Sequence, residues 1–218
     1  MTEALSLRER KKQQTRQQII TAALRLFERY GFERVSLHDV AASANVSKMT
    51  VFNYFATKED IVFDEWRDQF VNGPARAVRE RRRGESAIAA LERNYLERLA
   101  QRDPLTGLNR MAVPFFRIVM ASPTLMRRQN ELFALAEQVL AQALAEIAGT
   151  HDRDVTAIAT AGCVLAIERA LISENCHRLM GGDDPDDIYP EAVRMAKENF
   201  RILYAGVPTV FTTPSSVR

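Results

Sequence analysis

Apolar residues recur every three to four positions along most of this chain, and no stretch alternates apolar and polar residues as a strand does. In the first such stretch the apolar residues are Ile20, Ala23, Phe27 and Tyr30. It stops at Gly31, and glycine readily adopts the left-handed conformation that closes a helix. The spacing predicts a helix that begins at Leu7 or Arg10 and ends at Tyr30.

Similar spacing continues along the chain, which predicts an all-α fold of about nine helices. One helix is expected to run from Thr57 to about Gly73-Pro74, where glycine followed by proline typically ends a helix. Five more helices are predicted. They cover residues 85–101, a stretch that follows the break at residues 103–107 and ends at about residue 120, and residues 123–148, 152–179 and 186–204. Residues 207–218 contain two prolines with serine and threonine, and we expect them to be a mobile tail.

Two short helices joined by a tight turn are predicted in the stretch that follows the first helix. Ser36 is placed to cap the first of them, with Asp39 three residues later as in a capping box. Asn45 lies at the turn, since asparagine tolerates a left-handed backbone, and Ser47 caps a second helix of about two turns. This arrangement is typical of a helix-turn-helix, whose second helix enters the major groove of DNA.

At these positions the chain closely resembles the N-terminal domain of the TetR family of transcriptional repressors. The matching motifs follow one another at the spacing of the family and cover about the first quarter of the chain. They are residues 15–20, 22–27, 30–32, 36–41, 46–55 and 58–59. The resemblance implies a three-helix helix-turn-helix domain over residues 1–56 and a helical ligand-binding and dimerisation domain over residues 57–206.

The resemblance also implies which side chains meet DNA. Carried over by position, those that face bases or nearby phosphates are Lys48, Met49, Thr50 and Asn53. Tyr54 and Lys58 are expected to hold the phosphate backbone, while Ser36 and Ser47 offer hydroxyls and helix N-termini to phosphates. The family most often has tyrosine where this chain has Phe52, so the phosphate contact of that hydroxyl is missing here.

Positive charge is concentrated ahead of the helix-turn-helix, although the net charge of the whole chain is only +2. Residues 1–60 contain ten lysines and arginines against seven acidic residues. The basic residues of the N-terminal arm are Arg8, Arg10, Lys11, Lys12 and Arg16. Such an arm favours contact with phosphates or the minor groove, and the alternative is a solvated, disordered tail.

Large apolar side chains are frequent in the second domain, where the resemblance implies a pocket for a small-molecule effector. The predicted lining residues are Trp66, Phe70, Phe115, Phe116, Met120 and Phe133. They favour an apolar or aromatic effector, and the alternative for each is plain core packing. Glu168 lies in an otherwise apolar stretch, so it either anchors the effector or pairs with an arginine in the core.

The resemblance implies that the last two long helices pair with their symmetry mates in a homodimer. The first of them is rich in alanine, and small side chains let helices approach closely. A two-fold dimer doubles the number of base pairs that are contacted and predicts a palindromic operator in double-stranded DNA. The alternative is that both helices are internal core of a monomer.

The sequence does not favour an enzyme. Its three histidines, His38, His151 and His177, lie on separate segments, and no phosphate-binding glycine loop, nucleophile elbow or zinc-ligand spacing occurs. We therefore predict no catalytic residue, no metal site and no cofactor. The alternative function is a DNA-binding regulator that takes no small-molecule ligand and is controlled by a protein partner.

Two further patterns predict a cytoplasmic protein without membrane association. The chain lacks an uninterrupted apolar run of the length that spans a bilayer, and its first residues are charged and polar instead of apolar. Its two cysteines, Cys163 and Cys176, lie on one predicted helix about 20 Å apart, so they cannot form a disulfide with each other.

Overall fold

The computed structural model describes residues 6–213. Within this range the secondary structure consists of α-helices, two 3₁₀ turns and loops, without strands, which confirms the all-α prediction. The α-helices are α1 (Leu7–Tyr30), α2 (Leu37–Ser43), α3 (Lys48–Tyr54), α4 (Lys58–Phe63), α5 (Arg67–Arg79), α6 (Ala87–Ala100), α7 (Val113–Met120), α8 (Pro123–Ala148), α9 (Val155–Gly181), α10 (Pro185–Gly206) and α11 (Thr209–Thr212). The 3₁₀ turns are Pro104–Thr106 and Arg110–Ala112.

The chain forms two compact units. The first, which we call the head, comprises residues 6–65 of the described chain together with residues 114–128. The second, which we call the body, comprises residues 66–113 and 129–213. The sequence predicted a boundary at residue 56, whereas in the structure α4 and the segment 114–128 also belong to the head.

The head is organised around α1, which packs against α2 and α4. Ile19 and Phe27 are buried on α1, and the ring of Phe27 meets that of Phe32 edge to face with centroids 5.0 Å apart. Gln18 donates from Nε2 to the carbonyl oxygen of Ala44 at 2.8 Å, which ties α1 to the turn after α2. Such contacts are required because helices of two turns are not stable alone.

Polar contacts also fasten the segment 114–128 to the rest of the head. The carboxylate of Glu33 accepts a hydrogen bond from the Ser122 hydroxyl at 2.6 Å. Arg128 on α8 donates to the Asp60 carboxylate on α4 at 2.9 Å, and both side chains are mostly buried. The first turns of α8 are therefore held by the head through partly buried ion pairing.

The helix predicted over residues 57–74 is divided in the structure, so that prediction was wrong. α4 ends at Phe63 and α5 begins only at Arg67. Pro74 lies inside α5, which continues to Arg79 instead of stopping at the proline. Pro74 is buried and α5 packs against α6, and this packing offsets the helix hydrogen bond that a proline cannot donate.

The core of the body is formed by residues from α5, α6, α8, α9 and α10. Leu91, Tyr95, Leu140 and Phe200 are all fully buried there, and the rings of Tyr95 and Phe200 lie 6.2 Å apart. α10 packs against both α6 and α9. Burial of each large apolar side chain of this kind contributes about 1.5–3 kcal/mol, so this core holds the long helices together.

The expectation that residues 207–218 form a mobile tail was wrong for the part of it that the structure describes. Residues 209–212 form the short helix α11, which packs against α6. Phe211 is 1% exposed and joins the core of the body, so one aromatic side chain is enough to fix this segment. Residues 214–218 lie outside the described residues.

α9 is consistent with the prediction that no uninterrupted apolar run of membrane-spanning length occurs. Over its most apolar 18 residues its mean hydropathy is 1.7, so by length and composition this helix could cross a membrane, although it contains no uninterrupted apolar run. Only 39% of that window is buried within the chain. The buried positions contribute to the body core, while Val155 and Ile158 near the first turns of the helix are exposed.

Candidate nucleic-acid interface and effector region

The turn between α2 and α3 is fixed by local hydrogen bonds. The Ser36 hydroxyl accepts from the backbone N–H of Asp39, and the Asp39 carboxylate accepts from the backbone N–H of Ser36 at 2.8 Å, which is the predicted capping box. The Ser36 hydroxyl also donates to this carboxylate at 2.7 Å, and this hydrogen bond and that from the Ser36 N–H hold the pKa of the Asp39 carboxyl below its usual value. Asn45 has a φ of 49°, as expected for the turn, and Ser47 caps α3 by accepting from the N–H of Thr50 at 3.0 Å.

α3 has a buried side and an exposed side. Val51 is fully buried, and Phe55, which follows the helix, is 2% exposed, so these two residues anchor α3 in the head. Met49 is 68% exposed and Phe52 44% exposed. Lys48 is exposed as well, and its ammonium lies 5.6 Å from the centroid of the Phe52 ring. The helix therefore offers solvent a surface that is both positively charged and apolar.

The other predicted α3 residues continue this exposed side. Asn53 is exposed, whereas Thr50 and Tyr54 are partly buried. The Thr50 hydroxyl lies 2.8 Å from the Ser47 hydroxyl, so the two share a hydrogen bond. Ser36 and Ser47 are exposed, but their hydroxyls already serve as helix caps.

Two residues that were predicted to contact DNA have internal partners in the structure. Lys58 donates from Nζ to the carbonyl oxygen of Phe32 at 2.7 Å and to that of Val35 at 2.9 Å. Arg16 forms a bidentate ion pair with Asp64 and lies over the ring of Phe55 at 4.8 Å. Both side chains therefore brace the head, and the contacts expected of them with phosphates would require giving up or sharing these partners.

The basic arm is helical where the structure describes it. α1 begins at Leu7, and Ser6 and Glu9 form a capping box at its start. Arg8, Lys11 and Lys12 are exposed along the first turns of α1. A helical arm holds its charges at fixed spacing, in contrast to the disordered tail that was the alternative.

The predicted effector-lining residues are divided between the two units. Phe115 and Phe116 are buried in the head, where Phe115 meets Phe63 edge to face at 5.7 Å. Met120, also in the head, is 61% exposed. Trp66 and Phe70 are half-buried in the body.

Phe70 has an aromatic partner within the body. Its ring meets that of Phe133 at 4.7 Å, and the guanidinium of Arg169 lies 5.2 Å from the Phe133 centroid. These side chains are packed against one another, as the core interpretation expects.

Glu168 is buried in the body among polar groups that the sequence analysis did not single out. It is 6% exposed on α9, while Tyr95 and Arg98 on α6 are 0% and 7% exposed. Burial raises the pKa of the Glu168 carboxyl, and the nearby Arg98 guanidinium opposes that rise. Burial and the neighbouring Glu168 also raise the pKa of the Tyr95 hydroxyl. Of the two predicted roles of Glu168, effector anchor or partner of a core arginine, the second would be played with Arg98.

The 3₁₀ turn Pro104–Thr106 lies directly against the same part of α9. Asn175 donates from Nδ2 to the carbonyl oxygen of Thr106 at 2.8 Å. Gly107 has a φ of +79°, and a Cβ atom there would lie 2.7 Å from the Ile172 carbonyl oxygen and 2.9 Å from Cys176 Sγ. Burial raises the pKa of the Cys176 thiol to about 12. Only glycine permits this approach of the turn to the helix.

Sequence reasoning missed Tyr95, Arg98 and Asn175 for a physical reason. Tyr95 shares the apolar spacing of its helix, and the other two occupy positions that polar residues normally take on a solvated face. The available signal was that Asn175 lies seven residues after Glu168, which places both on one side of a helix. That spacing alone does not show the side to be buried.

The body also has a surface cleft, which is more polar than the buried core around Glu168. It encloses about 400 Å³ and is lined by α8 and by residues around the start of α9, among them Glu137, Asp152, Arg153 and Ile158. Asp152, Arg153 and Ile158 are exposed. The cleft is therefore open to water and mixes both signs of charge.

Comparisons with known proteins agree with the geometry of the head. Residues 19–64 match the sequence profile of the bacterial regulatory proteins of the tetR family. The transcriptional regulator TcmR of Streptomyces glaucescens is 40% identical over 55 residues, which are 25% of this chain and 24% of TcmR. LuxR of Vibrio harveyi is 49% identical over 47 residues, which are 22% of this chain and 23% of LuxR. The chain thus matches these curated relatives over about a quarter of their length.

Solved structures resemble the chain over most of its length. SmeT in complex with triclosan has a TM-score of 0.59 at 18% identity and covers 94% of this chain and 97% of its own. A TetR-family transcriptional regulator from Mesorhizobium loti has a TM-score of 0.57 at 17% identity, with 88% and 96% covered. FadR of Bacillus subtilis in complex with stearoyl-CoA has a TM-score of 0.51 at 17% identity, with 88% and 99% covered.

At such low identity these structures show a shared fold. The matched profile, the relatives of the N-terminal domain and the helix-turn-helix geometry agree with one another. Over residues 19–64 this chain is therefore similar to the N-terminal domain of the tetR family of bacterial regulatory proteins.

Proposed function

We propose that this protein is a DNA-binding transcriptional repressor that acts in the cytoplasm, binds a palindromic operator as a homodimer and leaves it when a small apolar or aromatic effector binds. The observation that carries this proposal is α3. It is a capped two-turn helix with Val51 as a buried anchor and Lys48, Met49 and Asn53 exposed. A single helix of this kind fits the major groove, which is about 12 Å wide.

The exposed α3 residues supply the chemistry that reads bases. The Asn53 amide both donates and accepts, which suits adenine, and the Lys48 ammonium suits the two acceptors of guanine. Met49 has no hydrogen bond to offer a base but can pack on a thymine methyl group. Together they give specificity, while the exposed basic residues at the start of α1 add affinity for phosphates.

The dimer is supported by the exposed side of α9. The small residues Ala159, Cys163, Ala166 and Ala170 are all exposed and recur at helical spacing. A helix of high mean hydropathy that is only 39% buried is suited to pack against a second copy of itself. On α10, Ile202 is 63% exposed and suits the same interface, whereas Ile188 and Ala192 are buried within the protomer.

Control by an effector is supported by the body. Two proteins of the same fold have been solved with ligands, SmeT with triclosan and FadR of Bacillus subtilis with stearoyl-CoA, and each ligand has a large apolar part. The body of this chain adds buried polar groups within an apolar core. An apolar site with a few polar groups is the usual composition of a small-molecule site.

The test is selection of bound duplexes from a random DNA pool by the purified full-length protein. We expect the selected duplex to be palindromic, with half-sites that are one helical turn or a multiple apart, at about 34–36 Å per turn. Enrichment of no sequence, or of a single asymmetric site, would overturn the dimeric-repressor proposal.

Three variants make this test specific. Lys48→Ala is expected to weaken binding to the selected duplex by about 1–3 kcal/mol, measured by fluorescence anisotropy. Lys197→Ala removes the same charge from an exposed position of α10 in the body and should leave affinity unchanged. Ala166→Arg should convert the dimer to a monomer in sedimentation and lose most of the affinity for the palindrome.

A further inference from the structure

Five buried residues of the body form a polar cluster on two helices. Tyr95 and Arg98 lie one turn apart on α6, and Glu168, Asn175 and Cys176 lie on one side of α9. All five are less than 10% exposed. Tyr95 interacts electrostatically with Arg98, Glu168 and Cys176, so the two helices bring these groups near one another. We call these five residues the buried polar cluster.

The hydrogen bonds of this cluster are incomplete. Asn175 uses its Nδ2 for the Thr106 carbonyl oxygen, but its Oδ1 has no hydrogen-bond partner among the described residues. The Tyr95 hydroxyl, also fully buried, likewise has none there. A buried polar atom without a partner costs about 1–3 kcal/mol, and native proteins rarely leave such atoms unpaired.

Glu168 adds a charge that the chain does not balance. Within the described part of the chain its carboxylate has neither a hydrogen bond nor an ion pair, and only the longer-range attraction of Arg98 favours its charged form. Arg98 already pairs with Asp103, through Nε and Oδ2 at 3.2 Å. Glu168 and Asp103 therefore have one guanidinium between them, so an ionised Glu168 has no cation of its own among the described residues.

This imbalance selects among ligand charges. An anionic ligand would place a third negative charge beside Glu168 and Asp103, whereas a cation would neutralise the excess. The unpaired groups are also suited to receive donors, since a carboxylate and an amide oxygen only accept and a tyrosine hydroxyl can accept. A protonated amine has up to three N–H donors and one positive charge, so it satisfies both requirements.

We infer that Glu168 and Tyr95 form the polar end of the effector site and bind the protonated amine of a small aromatic or apolar amine. This inference rests on the proposed function and names the chemical class of its effector. The apolar part of the molecule packs against the core cluster that contains Tyr95, Leu91 and Phe200. Asn175 Oδ1 is a second acceptor, about 10 Å further along α9 at 1.5 Å rise per residue, and suits a second donor on the same ligand.

The experiment measures ligand binding to the purified full-length protein by isothermal titration calorimetry without DNA. The probes are 2-phenylethylamine, 1-naphthylmethylamine and octylamine, each compared with the alcohol and the carboxylate of the same carbon skeleton. We expect at least one amine to bind at least tenfold more tightly than its alcohol and its carboxylate. The inference is overturned if no amine binds, or if a carboxylate binds best, because that result would assign the site to Arg98.

Matched variants locate the site. Glu168→Gln should weaken amine binding at least tenfold and leave the affinity of the alcohol within twofold. Glu174→Gln makes the same change on the exposed side of α9 and should alter neither affinity. If Glu168→Gln does not fold, Tyr95→Phe serves in its place and should weaken amine binding severalfold. Unchanged amine binding in a folded Glu168→Gln or Tyr95→Phe protein overturns the inference.

The two proposals fail in different ways. If an amine binds through Glu168 but the protein stays bound to its selected duplex, the amine site is supported. The proposal that effector binding releases the protein from DNA is then overturned. If a palindromic duplex is selected but no amine binds, the DNA-binding proposal is supported and the amine site is overturned. A misfolded protein would show neither behaviour, and its circular dichroism would differ from that of an all-α fold.

Discussion

The head and the body differ in how completely their polar side chains are paired within the chain. In the head, Ser36, Asp39, Arg16 and Lys58 all have hydrogen-bond partners that brace short helices. In the body, Tyr95, buried in a core of long helices, has a hydroxyl without a partner among the described residues. The head thus satisfies these polar groups within its own chain, whereas the Tyr95 hydroxyl of the body is left for the ligand that we propose.

The largest expected effect comes from the ion pair of Arg16 and Asp64 in the head. Asp64→Ala removes both acceptors of the guanidinium and should lower the free energy of unfolding by about 1–2 kcal/mol, because the Asp64 side chain is only 17% exposed. Urea titration followed by far-UV circular dichroism measures the change.

A matched ion pair in the body provides the control. Arg79 and Glu146 are also bidentate, but their side chains are 43% and 57% exposed. Glu146→Ala should therefore cost less than about 1 kcal/mol. An equal or larger loss from Glu146→Ala would contradict the view that the head depends more on its internal polar pairs.

A smaller loss is expected when a helix cap of the head is removed. Ser36→Ala leaves the N–H of Asp39 without its acceptor and should destabilise the protein by about 1 kcal/mol. Hydrogen exchange of the α2 amides should quicken in the same variant. Ser43→Ala, at the exposed end of α2, is the control and should leave the free energy of unfolding unchanged.

The smallest expected effect is a gain in stability instead of a loss. Tyr95→Phe removes a buried hydroxyl that has no partner among the described residues, so the ligand-free protein should gain about 0.5–1 kcal/mol in the free energy of unfolding. Tyr30→Phe makes the same change at a side chain that is 48% exposed and should have no effect. A clear loss of stability in Tyr95→Phe would show that the hydroxyl is satisfied within the free protein.

The head was largely predictable from sequence because its signals are local. A serine cap followed three residues later by an acidic residue, an asparagine at the turn and apolar spacing together gave the bounds of α3 and the start of α2. The internal roles of Lys58 and Arg16 were not predictable, since their partners, Phe32, Val35 and Asp64, are set by tertiary packing.

The body was less predictable because its signals are non-local. Pro74 looked like a helix end, but burial against α6 keeps it inside α5. Phe211 looked like part of a mobile tail, but its ring is buried in the core. Glu168 was recognised as unusual, whereas Tyr95 and Asn175 became significant only when the fold showed what they lack.

Gly107 constrains how this protein can be engineered. The 3₁₀ turn before it touches α9 so closely that any side chain at position 107 would press on Ile172 and Cys176. A library that seeks new inducers should therefore vary Glu168 and Tyr95 while it leaves this glycine untouched. We expect variants with a side chain at position 107 to fold poorly, so they would not respond to any effector.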